Sequence, residues 1–299
     1  MQDHGSPIKS LGLLPHLQAF SGVQAGIARA LRPQQTLGRI GNLEVRLAQN
    51  AAEIRQAQKL RYRVFYQEGT ALADPSRLFA RRDIDAFDAI CDHLLVLDHA
   101  TLTKRGKPVV VGTYRLLRQQ VAEDFGGFYT ASEFDIAPLL ARHRGLQFLE
   151  LGRSCVLPAY RNKRTVELLW QGIWSYLQHN RLDVMFGCAS LDGTDPGRLA
   201  MPLSFLHHYC RAPDSWQARA LPERYVEMNL MSKEAIDPKA ALRSLPPLIK
   251  GYLRLGCHIG DGAVIDHQFG TTDVLIILPV SALSSRYTEH FAAAERRAA

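Results

Sequence analysis

Apolar positions along the chain follow two periods, one of two residues and one of three to four, and the switches between them predict strands interleaved with helices. LEVRL, Leu43 to Leu47, reads as a short strand. From about Ala51 to Glu68, Ile54, Ala57, Leu60 and Val64 mark a helical apolar stripe, which puts Arg61 and Phe65 on one face. Asp74 to Asp92 reads as a charged loop. HLLVLD and PVVVGTYRLLR are strands, and the turn-like Thr103 to Pro108 between them predicts a hairpin. After Gly126-Gly127, Ser132 and Asp135 are helix-cap candidates before an apolar segment. An apolar strand from Leu149 then passes Pro158 into a helix over Lys163 to Arg181, with Val166, Leu169, Ile173 and Leu177 facing the sheet. DVMFGCAS is a strand, LDGTDPGR a polar turn into a helix ending at His208, and YVEMNL a further strand. The C-terminal part adds a helix, a glycine-rich turn and the apolar strand TTDVLIILPV. These elements predict an α+β (mixed α/β) domain of two or three layers, with a central, mostly antiparallel sheet flanked by helices.

Composition narrows the class. With 299 residues, 46% of them hydrophobic, the chain can bury a substantial core. Its net charge of +7 suits an acidic partner: a carrier protein, an anionic lipid surface or nucleic acid. No recognised module interleaves cations with exposed aromatics, which argues against nucleic acid. Five dispersed cysteines without a CxxC pair argue against a disulfide framework or zinc ribbon and predict the cytoplasm. No apolar run approaches the roughly 20 residues that span a bilayer. Leu11 to Leu31 has near-helical apolar spacing and fits either a lipid-surface segment or a loosely packed arm; Gly12, Gly22 and Gly26 favour the arm. The expected organisation is an arm over 1–40 and one domain over 41–299.

Several residues could carry chemistry. In DIDAFDAICDH, Asp85 and Asp88 flank Phe87, forming either a solvated loop or a site for an ammonium or basic group. No partner motif supports a metal there. Glu150 interrupts an apolar strand, so it is either paired with Arg153 or Arg115, or an acid/base group of raised pKa. Gly152 permits a bulge that brings Arg153 to the same side. Arg161, Lys163 and Arg164 ahead of Thr165 put cations and backbone N–H groups at a helix start, where a phosphate fits. No GxGxxG or GxxxxGK[ST] loop occurs, which disfavours a nucleotide fold. Ser154 and Cys155 lack a nucleophile elbow; Cys155 and Cys188 read as core residues, and His207-His208 as packing or capping groups. Trp170, Trp174 and Phe186 could line an acyl pocket, although core packing is the stronger reading.

RYRVF (Arg61 to Phe65), DAFD (Asp85 to Asp88), GTYR (Gly112 to Arg115) and ELGR (Glu150 to Arg153) together resemble the acyl-homoserine lactone synthase pattern. The longer features FDAICDHLLVLD, FYTASEFDI, ELGRSCVLPAYR and LIKGYLRLGCHIGDGAVID with FGTTDV are more similar to bacterial L-ornithine Nα-acyltransferases of ornithine-lipid synthesis, a hemolysin-like branch. The resemblance covers about Leu43 to Val280. The stretch QEGTALADPSR shortly after RYRVF holds no tryptophan, and a C-terminal addition starts near residue 231; both argue against a lactone synthase. RNKRTV lacks the glycine of the usual GNAT pyrophosphate loop.

The resemblance implies a GNAT-like fold and transfer of a 3-hydroxyacyl chain from acyl carrier protein to the α-amino group of L-ornithine, giving lyso-ornithine lipid. It implies Glu150 and Arg153 as the catalytic pair, with Glu150 as base and backbone N–H groups near Gly152 to Ser154 as oxyanion donors. Phe65, Asp85 and Asp88 would bind or orient the amino acid, while Arg61 and Arg115 would hold its carboxylate or brace the acidic loop as part of that substrate site. Arg161, Lys163, Arg164 and Thr165 would hold the phosphopantetheine arm and carrier surface. The phosphopantetheine arrives on the carrier, so no cofactor or metal is expected, and attachment to the inner membrane face is part of the expectation. Acylation of another amine and a membrane-active, hemolysin-like protein are the alternatives.

Overall fold

The structure, a computed structural model, describes residues 35–283, so the lipid-surface reading of Leu11 to Leu31 lies outside the described residues. The sheet begins at β1 (Thr36–Ile40), inside the segment expected as an arm, and turns back into β2 (Leu43–Leu47). Helix α1 (Ala51–Tyr62) starts at Asn50, whose side chain accepts the N–H groups of Ala52 and Glu53. The expected single helix to Glu68 finishes as a π-turn over Arg63–Glu68. The charged loop holds α2 (Pro75–Ala80) and a short turn over Ala86–Ala89. Then follow the predicted hairpin β3 (Asp92–Leu102) and β4 (Pro108–Arg118), α3 (Gln119–Asp124), β5 (Phe134–Asp135), α4 (Ala137–Arg142), β6 (Phe148–Val156) and α5 (Lys163–Asn180). The chain ends its described part with β7 (Val184–Asp192), α6 (Ala200–Cys210), β8 (Arg219–Ala220), α7 (Pro238–Ser244), α8 (Pro247–Arg254), β9 (His258–Asp266) and β10 (Thr271–Pro279).

The strand order is β1-β2-β3-β4-β6-β7-β10-β9-β8-β5, antiparallel except at β6–β7 and β8–β9. Alternation along β3 explains the layers. Leu94 and Val96 join the core under α5, whereas Leu95 and Leu97 meet Ala57 and Leu60 of α1 on the other face. Burying a side chain of this size contributes roughly 1.5–3 kcal/mol. No helix of the described residues is long and apolar enough to cross a membrane.

Four expectations change. Ser132 and Asp135 cap no helix: Ser132 lies in a short turn, Asp135 in β5, and α4 starts after Ile136. Val166 is exposed, and α5 instead buries Leu168, Leu169, Ile173, Tyr176 and Leu177. YVEMNL makes only the single bridge Val226–Ala263. The glycine-rich stretch is the strand β9, so the C-terminal addition supplies β9 and β10, which lie inside the sheet.

Candidate active site

Parallel pairing between β6 and β7 is confined to Phe148–Val184, Leu149–Met185 and Glu150–Phe186. Beyond Glu150 the strands part, running on to Val156 and Asp192. Gly187 sits at the fork with φ 154°, and a Cβ there would come 2.3 Å from the Leu151 carbonyl oxygen. The parting opens a cleft of about 430 Å³, lined by Glu150 to Ser154 on one strand and Cys188 to Ser190 on the other.

The expected bulge is present. Opposite β4, the register passes from Thr113–Cys155 to Arg115–Gly152, which leaves Arg153 and Ser154 without register partners. The left-handed residue is Arg153, φ 50°, rather than Gly152. Side chains explain why an arginine is held there. Its guanidinium lies over the rings of Tyr129, at 5.0 Å, and Phe269, at 4.8 Å.

Arg153 does not pair with Glu150. It belongs to a closed ring in which three arginines alternate with three aspartates: Arg61–Asp83 at 2.8 Å, Asp83–Arg153 at 3.4 Å, Arg153–Asp85 at 3.2 Å, Asp85–Arg115 at 2.5 Å, Arg115–Asp88 at 3.4 Å and Asp88–Arg61 at 2.8 Å. Burial opposes ionisation of Asp88, yet Arg61 and Arg115 hold its carboxyl down at about 2. Asp85 is lowered in the same way, against burial, by Arg115 and Arg153. Of the residues expected to meet the amino acid, Phe65 and Arg115 line the cleft, whereas Arg61, Asp85 and Asp88 stand behind it in the ring. Their opposite charges already neutralise one another, so they brace the cationic wall. The π-turn delivers Phe65 to the cleft from the same helical run that buries Arg61.

Glu150 does reach the cleft. Its Oε1 accepts from Thr130 N–H at 2.6 Å and its Oε2 from Tyr129 N–H at 3.1 Å. Burial raises its pKa, and these hydrogen bonds together with Arg115 offset only part of that rise.

The four residues expected at a phosphate separate. Arg161 lines the cleft, with its Nε donating to Val156 O at 3.0 Å. Lys163 and Arg164 border a shallow depression beside Asn42, Asp98 and Tyr160. Thr165 is fully buried, and its N–H donates to Asn162, the residue that caps α5. Trp170, Trp174 and Phe186 do not converge either. Trp174 and Trp170 pack in the core under α5, and Phe186 packs in a separate cluster against Phe128 and Phe148.

Sequence reasoning missed Tyr129 and Phe269, which sandwich Arg153, and an acidic group at the other wall. Glu133, Asp266 and Asp273 each offer a carboxylate oxygen, and these oxygens lie within 4.8 Å of one another. Asp266 and Asp273 sit on one hairpin, but Glu133 lies far from it along the chain, so no local pattern joins all three.

Residues 60–171 match the model of an acetyltransferase (GNAT) domain. The L-ornithine N(alpha)-acyltransferase of Rhizobium meliloti is 58% identical over 89% of this chain and 90% of its own length. That of Brucella abortus is 57% identical over 87% and 92%. The chain belongs to the L-ornithine N(alpha)-acyltransferase family. The structure of FeeM, an N-acyl amino acid synthase from uncultured soil microbes, covers 80% of this chain and 91% of its own, with TM-score 0.43 and 11% identity.

Membership in this acyltransferase family bears out the resemblance carried by ELGRSCVLPAYR and its companion motifs, and with it the GNAT fold. The matched GNAT segment contains the whole arginine–aspartate ring, Glu150 and Arg161. Asp266 and Asp273 fall outside it, on the two strands that the C-terminal part adds.

Proposed function

We propose that this protein transfers a 3-hydroxyacyl chain from acyl carrier protein to the α-amino group of L-ornithine. The observation that carries this reading is the fork between β6 and β7, where a buried carboxylate, Glu150, stands beside a strand edge with unpaired residues and a cationic wall. The amine nitrogen attacks the thioester carbonyl, the C–N bond forms, the C–S bond breaks, and the carrier's thiol leaves. Glu150 accepts the proton that the amine loses and returns it to the departing thiolate, which leaves as the thiol. The N–H groups of the bulge at Arg153 and Ser154 stabilise the developing oxyanion. Arg153 and Arg115 attract the α-carboxylate. Exposed Arg161, Lys163 and Arg164 suit the phosphate of the pantetheine arm and an acidic carrier surface.

The acylated product is amphiphilic, and an anionic membrane surface is part of this reading. Leu72, Leu78 and Phe79 are exposed, Phe79 to 95%, beside exposed Arg81, and Gly69 to Ala71 immediately before them line the cleft. The activity test combines purified protein, hydroxyacyl carrier protein and L-ornithine, with products read by mass spectrometry. An Nα-acylated ornithine is expected. Product with another amine and none with ornithine overturns the acceptor; product only from the coenzyme A thioester overturns the donor.

A further inference from the structure

The geometry points to Glu133, Asp266 and Asp273 as the pocket that takes the side-chain ammonium group of the amino-acid acceptor, and so selects a diamino acid over a neutral one. This inference rests on the ornithine reading and names the residues that would enforce it.

Glu133 follows the turn at Tyr129–Ser132, Asp266 ends β9 and Asp273 lies on β10. Asp266 and Asp273 line the cleft together with Ser190, Cys188 and Thr271. Glu133 is 2% exposed, yet among the described residues its Oε2 has no close hydrogen-bond partner, and the neighbouring Cys188 thiol is a weak donor to this carboxyl. Charge compensation sets this group apart from every aspartate of the ring. Among the described residues its one ion pair is Arg224 Nη1 to Glu133 Oε1, at 3.9 Å, and neither Asp266 nor Asp273 has any. Burial, followed by the charge of Asp273, pushes the Glu133 carboxyl up to about 7; burial also raises Asp273. Asp266 and Asp273 in the cleft wall, backed by buried Glu133 and with so little positive charge to balance the three, form a site for a cation.

The donor pattern favours an ammonium group over a divalent ion. Asp266 Oδ1 already accepts the N–H groups of Gln268 and Phe269 at 2.8 and 3.0 Å, and Asp273 Oδ1 the Thr271 hydroxyl at 2.9 Å. Asp273 also meets the Ser190 hydroxyl, so part of each carboxylate's acceptor capacity already serves the fold. An ammonium carries three donors for the three carboxylates, whereas a hard divalent ion requires about six to eight close oxygen ligands. The opposite wall carries Arg153 and Arg115, so the cleft has a cationic side for the α-carboxylate and an anionic side for the distal amine.

The test compares acyl transfer to L-ornithine with transfer to L-norvaline, which has the same carbon chain and no distal amine, in the intact wild-type chain and in Glu133→Gln and Asp273→Asn. Wild type is expected to favour ornithine in kcat/KM by about 100-fold or more, since a site built for a polar group strongly rejects an analogue lacking it. Each variant should lower that ratio at least about tenfold, mainly through the KM for ornithine. The wild-type comparison needs no variant to fold. A wild-type ratio near one, or variants active on both amines with the wild-type ratio, overturns the pocket while leaving the ornithine reading in place. Failure of wild type on ornithine, with transfer to another amine, removes both. A stoichiometric divalent ion in the purified protein, with activity lost to chelator and restored by that ion, reassigns the cluster and overturns the proposal.

Discussion

Glu150 is where opposing influences on one carboxyl decide a role. Burial raises its pKa and wins over the Thr130 and Tyr129 amides and Arg115, the direction that the proposed role as proton acceptor requires. The base form then appears only as pH rises through the elevated value, so kcat/KM for acyl transfer should climb on the acid side with a midpoint above the ordinary 4.5. Glu150→Gln should lose that limb and about 10²–10⁴-fold in rate. A fall below threefold, with lowered thermal stability, makes Glu150 a brace for Tyr129 and Thr130 instead. Asp88 is the reverse case. Its folded value near 2 lies below the ordinary 3.8, so its contribution is present in full above about pH 4 and is lost as pH falls towards 2. The difference corresponds to roughly 2 kcal/mol. Urea unfolding at pH 5 and pH 3 checks it: Asp88→Asn should flatten the acid loss. At neutral pH the same variant should cost about 3–5 kcal/mol, because Arg61 is left buried with half its partners.

The fork between β6 and β7 is an element-scale device, and it depends on one backbone position. At Gly187 any Cβ collides with the Leu151 carbonyl, so Gly187→Ala should force the strands apart where they still pair. A loss of roughly 2 kcal/mol is expected, about 3 °C in Tm for a chain of this size, along with reduced acyl transfer. Gly251→Ala, where a Cβ on α8 meets nothing within 4 Å, is the control and should be neutral or slightly stabilising. Elements whose burial follows a clean period were legible in the sequence. LEVRL gave β2 to the residue, and α5 ends one residue before the expected Arg181. The strand β9 was hidden because its glycines answer to neighbours rather than to propensity: Gly262, at φ 79°, would bring a Cβ to 2.4 Å from the Tyr225 ring. For the site, the ELGR and DAFD motifs were visible, but not which charges cancel. Asp85 and Asp88 read as either a solvated loop or an ammonium site until the sheet brings Arg61, Arg115 and Arg153 around them, and Glu133 meets the Asp266–Asp273 hairpin only through the tertiary fold.

At the scale of the molecule, the proposed reaction has the cleft take an acyl chain from one partner and release an amphiphile that water solvates poorly. The segment after the π-turn joins those tasks, because Gly69 to Ala71 form part of the cleft wall and the next residues carry Leu72, Leu78 and Phe79 into solvent. Such exposed apolar groups beside Arg81 match an anionic lipid surface, where the rings and chains enter the headgroup boundary and the guanidinium meets phosphate. Flotation with phosphatidylglycerol-containing vesicles should therefore recover more protein than flotation with neutral phosphatidylcholine vesicles, and salt should reduce the difference. The double variant Leu78→Ser, Phe79→Ser should weaken binding at least about tenfold, given the apolar area withdrawn from the lipid. Its folding should be unaffected, because neither side chain is buried. Equal recovery with both vesicle types removes the electrostatic part of the contact, and unchanged binding by the double variant places the contact elsewhere on the chain. If the variant also accumulates acylated product on the enzyme in the absence of vesicles but not in their presence, product release rather than membrane residence is what this patch serves.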